Sequence, residues 1–202
     1  MRRTREDAER TREALLEAAL KVFSQQGYAS VRLEDVASAA GVTRGAIYHH
    51  FGGKAELFAA LVEAASQQGA GVVERAIQEG TDFIDIARRV LTYGLRLLEE
   101  DSTYRRTMAL FLFQIGGSPE LEAFKQQRVE QGRAQVETIA GFFRMGLAQG
   151  ALRPDLDPMV AARSFIAYQN GLTMLWLSDP NLVPLADAPA LAETFLRGIA
   201  AR

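Results

Sequence analysis

Cysteine is absent from the 202 residues of this chain. A chain without cysteine has no disulfide framework and no cysteine-based zinc site, and it suits a reducing compartment. No apolar run is long enough to span a bilayer, and the charged N-terminus lacks the apolar segment of a signal peptide. We therefore expect a cytoplasmic protein with no membrane contact.

The chain also lacks a strong excess of either charge. It holds 23 Lys/Arg and 25 Asp/Glu, which gives a net charge of −2, so the overall charge does not by itself indicate a nucleic-acid partner. The distribution is more informative, because residues 1–54 contain nine Lys/Arg and seven Asp/Glu. A mildly basic N-terminal part permits DNA binding without establishing it.

The third absence is the period-two alternation that would indicate β-strands. Apolar residues instead recur at helical spacing almost everywhere, which predicts an all-α protein. Glycine and proline breakers divide the pattern into three short helices, one long helix and a larger bundle. The expected helices cover about 8–26, 33–40, 44–51, 54–79, 82–101, 103–114, 119–149, 158–177 and 190–201.

Residues 33–52 have the pattern of a helix-turn-helix. Such a unit needs a small residue where its two helices cross, a glycine in the turn and a β-branched residue that anchors the second helix. Ala37, Gly41 and Ile47 stand at these positions, and Gly41 suits the positive φ of a tight turn. The pattern predicts a short second helix, with Thr43 as its cap.

The outer face of that second helix carries groups that suit DNA. Arg44, Gly45, Tyr48 and His49 lie opposite the apolar face, offering a cation, a gap for close approach, a phenol and an imidazole. This is what a recognition helix in a major groove requires.

The segment from Thr43 to Phe51, followed by Lys54, Glu56 and Leu57, resembles the signature of the TetR family of transcriptional regulators. It is most similar to the branch of multidrug-efflux repressors, and the resemblance covers roughly residues 8–60. It implies a helix-turn-helix DNA-binding domain over 1–53 and a ligand-binding and dimerisation domain over 54–202. It further implies a homodimer that binds palindromic operator DNA and is released by a small lipophilic or aromatic effector, without a cofactor.

The resemblance also implies roles for individual side chains. Arg44 and Gly45 would face base edges, and Arg32 would reach a phosphate. The residues expected to contact phosphates or to fix the helix on the groove are Thr43, Tyr48, His49, His50 and Lys54. Arg32 stands where the family often has threonine, so the salt dependence of binding is expected to be steeper. The alternatives are that both glycines serve only their turns, that His50 is a packed core residue and that Lys54 is a capping or solvated lysine.

The helix expected at 158–177 is apolar around most of its circumference, which indicates burial on two sides. The resemblance implies that it pairs with its copy in a twofold dimer, together with the last helix. The candidate interface residues are Ala167, Leu172, Leu175, Trp176, Phe195 and Ile199. The alternative is a large self-contained core.

Apolar and aromatic residues of the middle helices are candidates for an effector pocket. They are Leu61, Ile86, Val90, Tyr93, Met108, Phe111, Leu112, Phe142, Ile166 and Met174. Gln169 and Asn170 are polar groups inside an apolar helix, so they either fix the polar atoms of a ligand or hydrogen-bond within the bundle.

Three rival classes of function remain beside the repressor, and one of them, a scaffold that has lost DNA binding, is disfavoured by the intact recognition face. A small helical enzyme lacks support, because no nucleophile–base pair, HExxH motif, phosphate loop or convincing carboxylate pair occurs. Adjacent His49 and His50 point about 100° apart on a helix, so we expect no metal there. The remaining rival is a helix-turn-helix activator or DNA-binding protein without an effector.

Overall fold

The computed structural model describes residues 5–114 and 118–201, and this part of the chain is built from helices. The helices are α1 (Arg5–Gln26), α2 (Leu33–Ala39), α3 (Arg44–His50), α4 (Lys54–Glu79), α5 (Phe83–Glu100), α6 (Ser102–Phe113), α7 (Glu122–Ala148), α8 (Pro158–Ser178) and α9 (Ala188–Arg197). The all-α class is confirmed, and none of these helices has the length and apolarity needed to cross a membrane.

Helix boundaries follow the breakers closely. Helix α4 has the 26 residues expected of it, and Asp157 caps α8 as the Asp-Pro pair indicates. The Asp157 carboxylate accepts hydrogen bonds from the amides of Met159 and Val160 at 2.8 and 3.0 Å. These bonds satisfy two of the amides that a helix start leaves unpaired.

Three boundaries differ from expectation by three residues or more, and the first is the start of α1, which lies at Arg5 rather than near residue 8. Helix α7 begins three residues late, because the chain first forms a 3-10 turn over Pro119–Leu121, closed by a bond from the Leu121 amide to the Ser118 carbonyl at 3.1 Å. Helix α9 ends at Arg197 rather than near residue 201, since the residues after it pair with 151–153 instead. The Ala201 amide, for example, donates to the Ala151 carbonyl at 3.0 Å.

The first of two compact units combines the described residues of 1–67 and 103–125. Its core joins α1, α2, α3, the first half of α4, α6 and the start of α7, around the fully buried Phe23, Tyr28, Ile47, Phe58 and Leu121. The Tyr28 ring lies 5.5 Å from that of Phe23 and 5.2 Å from that of Phe58. Aromatic packing of this kind adds to the stabilisation from apolar burial. These packing units do not test the functional boundary expected at Lys54, between the DNA-binding domain and the ligand-binding domain, and that boundary stays a prediction.

The second unit combines 68–102 with the described residues of 126–202. Phenylalanines link its helices: Phe83 stacks on Phe142 at 4.4 Å, and Phe143 contacts Phe165 at 6.0 Å between ring centroids. Gly146 lets α7 approach the start of α5 closely, because a Cβ at this position would lie only 2.6 Å from the Phe83 ring.

Candidate nucleic-acid interface

The turn between α2 and α3 has the backbone that its sequence requires. Gly41 adopts φ +66°, a value that side chains with a Cβ rarely take. The Val42 amide donates to the Ala37 carbonyl at 3.0 Å, which closes the turn. Ala37 is small and buried, as a helix-turn-helix requires of the residue where its two helices cross.

Helix α3 has one buried and one exposed face. Ile47 is fully buried and Phe51, just after the helix, packs partly against the same core. Arg44, Gly45, Tyr48 and His49 are exposed, with 46% of the Tyr48 surface accessible. The outward face expected from the helical spacing is therefore present in the structure.

Arg44 is held in place by two neighbours. Its guanidinium donates to the Tyr48 hydroxyl at 2.8 Å and forms an ion pair with the Glu34 carboxylate from α2. The hydrogen bond to Tyr48 and the charge of Glu34 raise the pKa of Arg44 above its usual value. The cation on this surface is therefore oriented along α3 before any partner binds.

Gly45 is not required by the packing of the described residues. A Cβ built there would meet only the Thr43 hydroxyl oxygen, at an ordinary contact distance of 3.7 Å. Gly45 lines a shallow depression of about 420 Å³ together with Gly41, Val42, Thr43, Ala46 and His49. The missing side chain leaves room for a group that approaches α3 from outside.

The remaining candidate DNA contacts lie around this face. Arg32 and Thr43 are both exposed, and each precedes its helix at the N-cap position. Thr43 occupies the N-cap position of α3, as expected, but its side chain makes no cap hydrogen bond. The expectation that its hydroxyl caps the helix is therefore wrong. The His50 ring is half-buried and lies 5.2 Å from that of His49 and 6.3 Å from that of Phe51.

Lys54 is the first residue of α4 and is half-buried. Its ammonium lies 4.5 Å above the centre of the Tyr28 ring and 3.4 Å from the Ala29 carbonyl oxygen. Burial lowers the pKa of this amine, and the charge of Glu120 opposes that effect.

The candidate effector residues are spread over both units. Leu61, Met108, Phe111 and Leu112 belong to the first unit, and the others belong to the second. In the second unit Ile86, Tyr93 and Phe142 pack around the core that contains Val90, while Ile166 and Gln169 are half-buried. Leu112, Asn170 and Met174 are exposed. The assignment of these residues to an effector pocket stays a prediction.

Tyr93 takes part in a charged network at the junction of α4 and α5. Its hydroxyl donates to the Glu79 carboxylate at 2.5 Å and accepts from Arg89 at 2.7 Å, while Arg89 also binds Asp85 at 2.8 Å. These bonds tie the end of α4 to α5, so Tyr93 has a structural role whatever else it contacts.

Residues expected at the dimer interface divide into two groups. Leu172, Trp176 and Ile199 are buried within the single chain, and Phe195 packs on Phe165 at 5.6 Å. Ala167 and Leu175 face outward from α8. The sequence shows that α8 is apolar on two sides, but it does not show which side faces the core of the chain and which faces outward.

Sequence reasoning missed two functional candidates, Glu34 and Glu120. Glu34 reaches Arg44 across the helix-turn-helix, and Glu120 accepts a hydrogen bond from the Tyr28 hydroxyl at 3.1 Å. The second pair is separated by 92 residues, so no local periodicity could reveal it.

Comparison with known proteins agrees with this architecture over most of the chain. Residues 15–61 match the family described as bacterial regulatory proteins, tetR family, and residues 86–201 match the C-terminal domain of BetI-type transcriptional repressors. The HTH-type transcriptional regulator TtgR of Pseudomonas putida is 32% identical over 186 residues, covering 92% of this chain and 89% of that protein.

Solved structures show the same similarity. NalD, the secondary repressor of the MexAB-OprM multidrug efflux pump in Pseudomonas aeruginosa, superposes with a TM-score of 0.85 at 29% identity, covering 97% of this chain and 98% of NalD. The SmeT–triclosan complex gives a TM-score of 0.80 at 30% identity over 94% of this chain and 91% of SmeT. With both its helix-turn-helix and its C-terminal domain matched, this chain belongs to the TetR family of bacterial regulatory proteins.

Proposed function

We propose that this protein is a ligand-responsive repressor that binds palindromic operator DNA as a homodimer and is released by a small lipophilic or aromatic effector. The observation that carries the proposal is the exposed face of α3, with Arg44 and Tyr48 outward while Ile47 is buried beneath them. A short helix of this kind presents its side chains to base edges in the major groove.

The dimer is supported by the outer face of α8. Val160, Ala167 and Met174 are spaced by seven residues and share this face, on which Val160 is 54% and Met174 49% exposed. Leu175 beside them is 47% exposed. A Cβ built on Gly171 would have open space around it, with no atom of the described residues outside the adjoining helix backbone within 4 Å. An apolar stripe containing small residues suits close packing against its own copy around a twofold axis.

The effector is supported by relatives and by the second unit. NalD and SmeT are described as repressors of multidrug efflux pumps, and SmeT has been solved with triclosan. In this chain the amide nitrogen of Gln169 lies 3.4 Å from where a Cβ of Gly94 would stand. The half-buried Gln169 amide thus packs against the backbone of α5 in a unit rich in aromatic rings, and a polar group in such surroundings suits an aromatic ligand with one polar atom.

Helix α4 provides the connection between ligand and DNA. It contributes residues up to Gln67 to the first unit and residues from Gln68 onward to the second. With 26 residues at about 1.5 Å each it is roughly 39 Å long. Half-sites lie about 34 Å apart, so a small tilt of α4 would move two recognition helices out of register. The change in operator affinity is limited by the differential affinity of the effector for the two states.

The proposal is tested by selecting bound fragments from the genome that encodes the protein and then measuring release by triclosan as the first probe. We expect a palindromic fragment that shifts in a gel and is released by triclosan. Quenching of the single tryptophan, Trp176 on α8, would report ligand binding directly. An activator without an effector would bind a fragment but show neither release nor a thermal shift with any lipophilic compound tested.

Replacing Glu34 by glutamine should tighten operator binding about twofold to fivefold. The Glu34 carboxylate competes with DNA for Arg44, and an exposed ion pair of this kind contributes little to folding. Titration of a labelled operator at fixed salt measures the change. Glu13, an exposed acid of α1, serves as the charge-matched control through Glu13→Gln. Equal effects of both substitutions would show that Glu34 acts only through net charge.

Replacing Gly45 by alanine should separate stability from binding. The space around Gly45 accepts a methyl group, and alanine favours a helix by up to about 1 kcal/mol over glycine, so the melting temperature should stay or rise. Operator affinity should fall about tenfold, the scale of one lost base contact, because the methyl group stands where the DNA approaches. Thermal melting and a gel shift on the same sample measure the stability and the operator affinity of the variant. Unchanged affinity would contradict the close approach of DNA to Gly45.

A further inference from the structure

Three residues distant in sequence meet at the start of α4, and we call them the Lys54 cradle: Tyr28, Lys54 and Glu120. The Tyr28 ring is packed between Phe23 and Phe58 and is 1% exposed, while its hydroxyl donates to Glu120 at 3.1 Å. Burial and this hydrogen bond raise the pKa of the Tyr28 hydroxyl, so it remains a neutral proton donor.

The Lys54 ammonium rests on the outer face of that ring. Its distance of 4.5 Å from the ring centre is within the range of a cation–π interaction, and the Ala29 carbonyl oxygen lies 3.4 Å away. A phenol that donates to a carboxylate has a more electron-rich ring, which strengthens its attraction for a cation. Glu120 therefore acts on Lys54 in two ways, through the Tyr28 ring and through its own charge.

Glu120 itself is fixed by its neighbours. It lies in the 3-10 turn between Pro119, which restricts the backbone, and Leu121, which is fully buried in the core of the first unit. The carboxylate is exposed, yet its backbone is anchored on both sides. A side chain held in this way can orient a partner without large entropic cost.

We propose that Glu120 is a positioning residue for DNA binding, which orients the Lys54 ammonium at the first turn of α4 so that it can contact an operator phosphate. This inference rests on the proposed function, since it requires that the first turn of α4 meets DNA. Without Glu120 the lysine loses its nearby negative charge and samples more rotamers, and ordering it again on binding costs affinity.

The sign of the effect distinguishes positioning from simple charge. Removing a negative charge from a DNA-binding protein ordinarily strengthens its attraction to the phosphate backbone. Loss of positioning predicts the opposite, a weaker complex. Glu122, exposed in the first turn of α7, provides the control through Glu122→Gln, which removes the same charge two residues away.

The experiment measures operator affinity for Glu120→Gln, Tyr28→Phe, the double variant and Glu122→Gln. We expect Glu120→Gln and Tyr28→Phe each to bind about threefold to tenfold more weakly. The double variant should bind no more weakly than Glu120→Gln alone, because the hydrogen bond between Tyr28 and Glu120 is already lost in that single variant. Glu122→Gln should bind as well as the unaltered protein or better. Tyr28→Phe keeps the buried ring, so its melting temperature should barely change.

A second measurement does not depend on DNA. NMR titration of the Lys54 amine, after reductive methylation with ¹³C-formaldehyde, should show a lower pKa in Glu120→Gln and no change in Glu122→Gln. The inference is overturned if Glu120→Gln binds operator as tightly as Glu122→Gln does, or if the Lys54 titration does not move. If the unaltered protein binds no genomic fragment while the Lys54 titration shifts as expected, the proposed function fails and the cradle itself stands.

Discussion

The double substitution Arg44→Ala, Tyr48→Ala should reduce affinity for the operator roughly a hundredfold. Both side chains are exposed on α3, and the hydrogen bond of 2.8 Å between them orients the guanidinium that would reach a base edge. Loss of a bidentate arginine contact together with a phosphate contact from tyrosine has an effect of this size. A fluorescence-anisotropy titration of a labelled operator at fixed salt measures it.

The fold should be unaffected by this pair of substitutions. Surface side chains outside the core change stability little, so the melting temperature should remain close to that of the unaltered protein. Arg133→Ala on α7 removes an exposed arginine elsewhere and serves as the matched control. If the double variant binds its target at full strength, α3 is not the helix that recognises the operator.

Replacing Leu175 by arginine should convert the protein to a monomer. Leu175 lies on the outer face of α8 and is 47% exposed in the single chain, so a charge there is tolerated by the monomer but not by a packed interface. Operator affinity should fall at least about a hundredfold, because two linked recognition helices gain that much or more over one. Light scattering gives the mass and a gel shift gives the affinity.

A control residue separates dimer contact from surface change in general. Val129 on α7 is 57% exposed, so Val129→Arg introduces the same charge at a similarly accessible apolar position. This variant should keep the dimer mass and the operator affinity. If Leu175→Arg also stays dimeric, the outer face of α8 is not the interface.

The sequence predicts the local structure of this protein well because local rules determine it. The spacing of apolar residues and the breakers Gly41, Gly80 and Pro158 predict the helices of the described residues to within a few positions. The recognition face follows from the same periodicity, because Ile47 must be buried if α3 is to be held.

What the sequence does not predict is contact at a distance. The ion pair of Arg44 with Glu34 depends on the crossing of two helices, and the cradle depends on Glu120 returning to Tyr28 from 92 residues away. The packing of α6 and the start of α7 into the core of the first unit is equally non-local. Apolar content alone also does not distinguish a pocket residue from a core residue. Effector candidates such as Val90 and Leu61, which are buried in the cores of their units, therefore stay predictions.

A specificity profile of operator binding shows whether Arg44 reads a base. The binding of a complete library of single base substitutions in the operator would be measured for the unaltered protein and for Arg44→Ala. Arg44→Ala should lose the preference at one base pair in each half-site, at symmetric positions, and should keep the others. A profile that weakens uniformly or keeps all its preferences would contradict the reading of a base by Arg44.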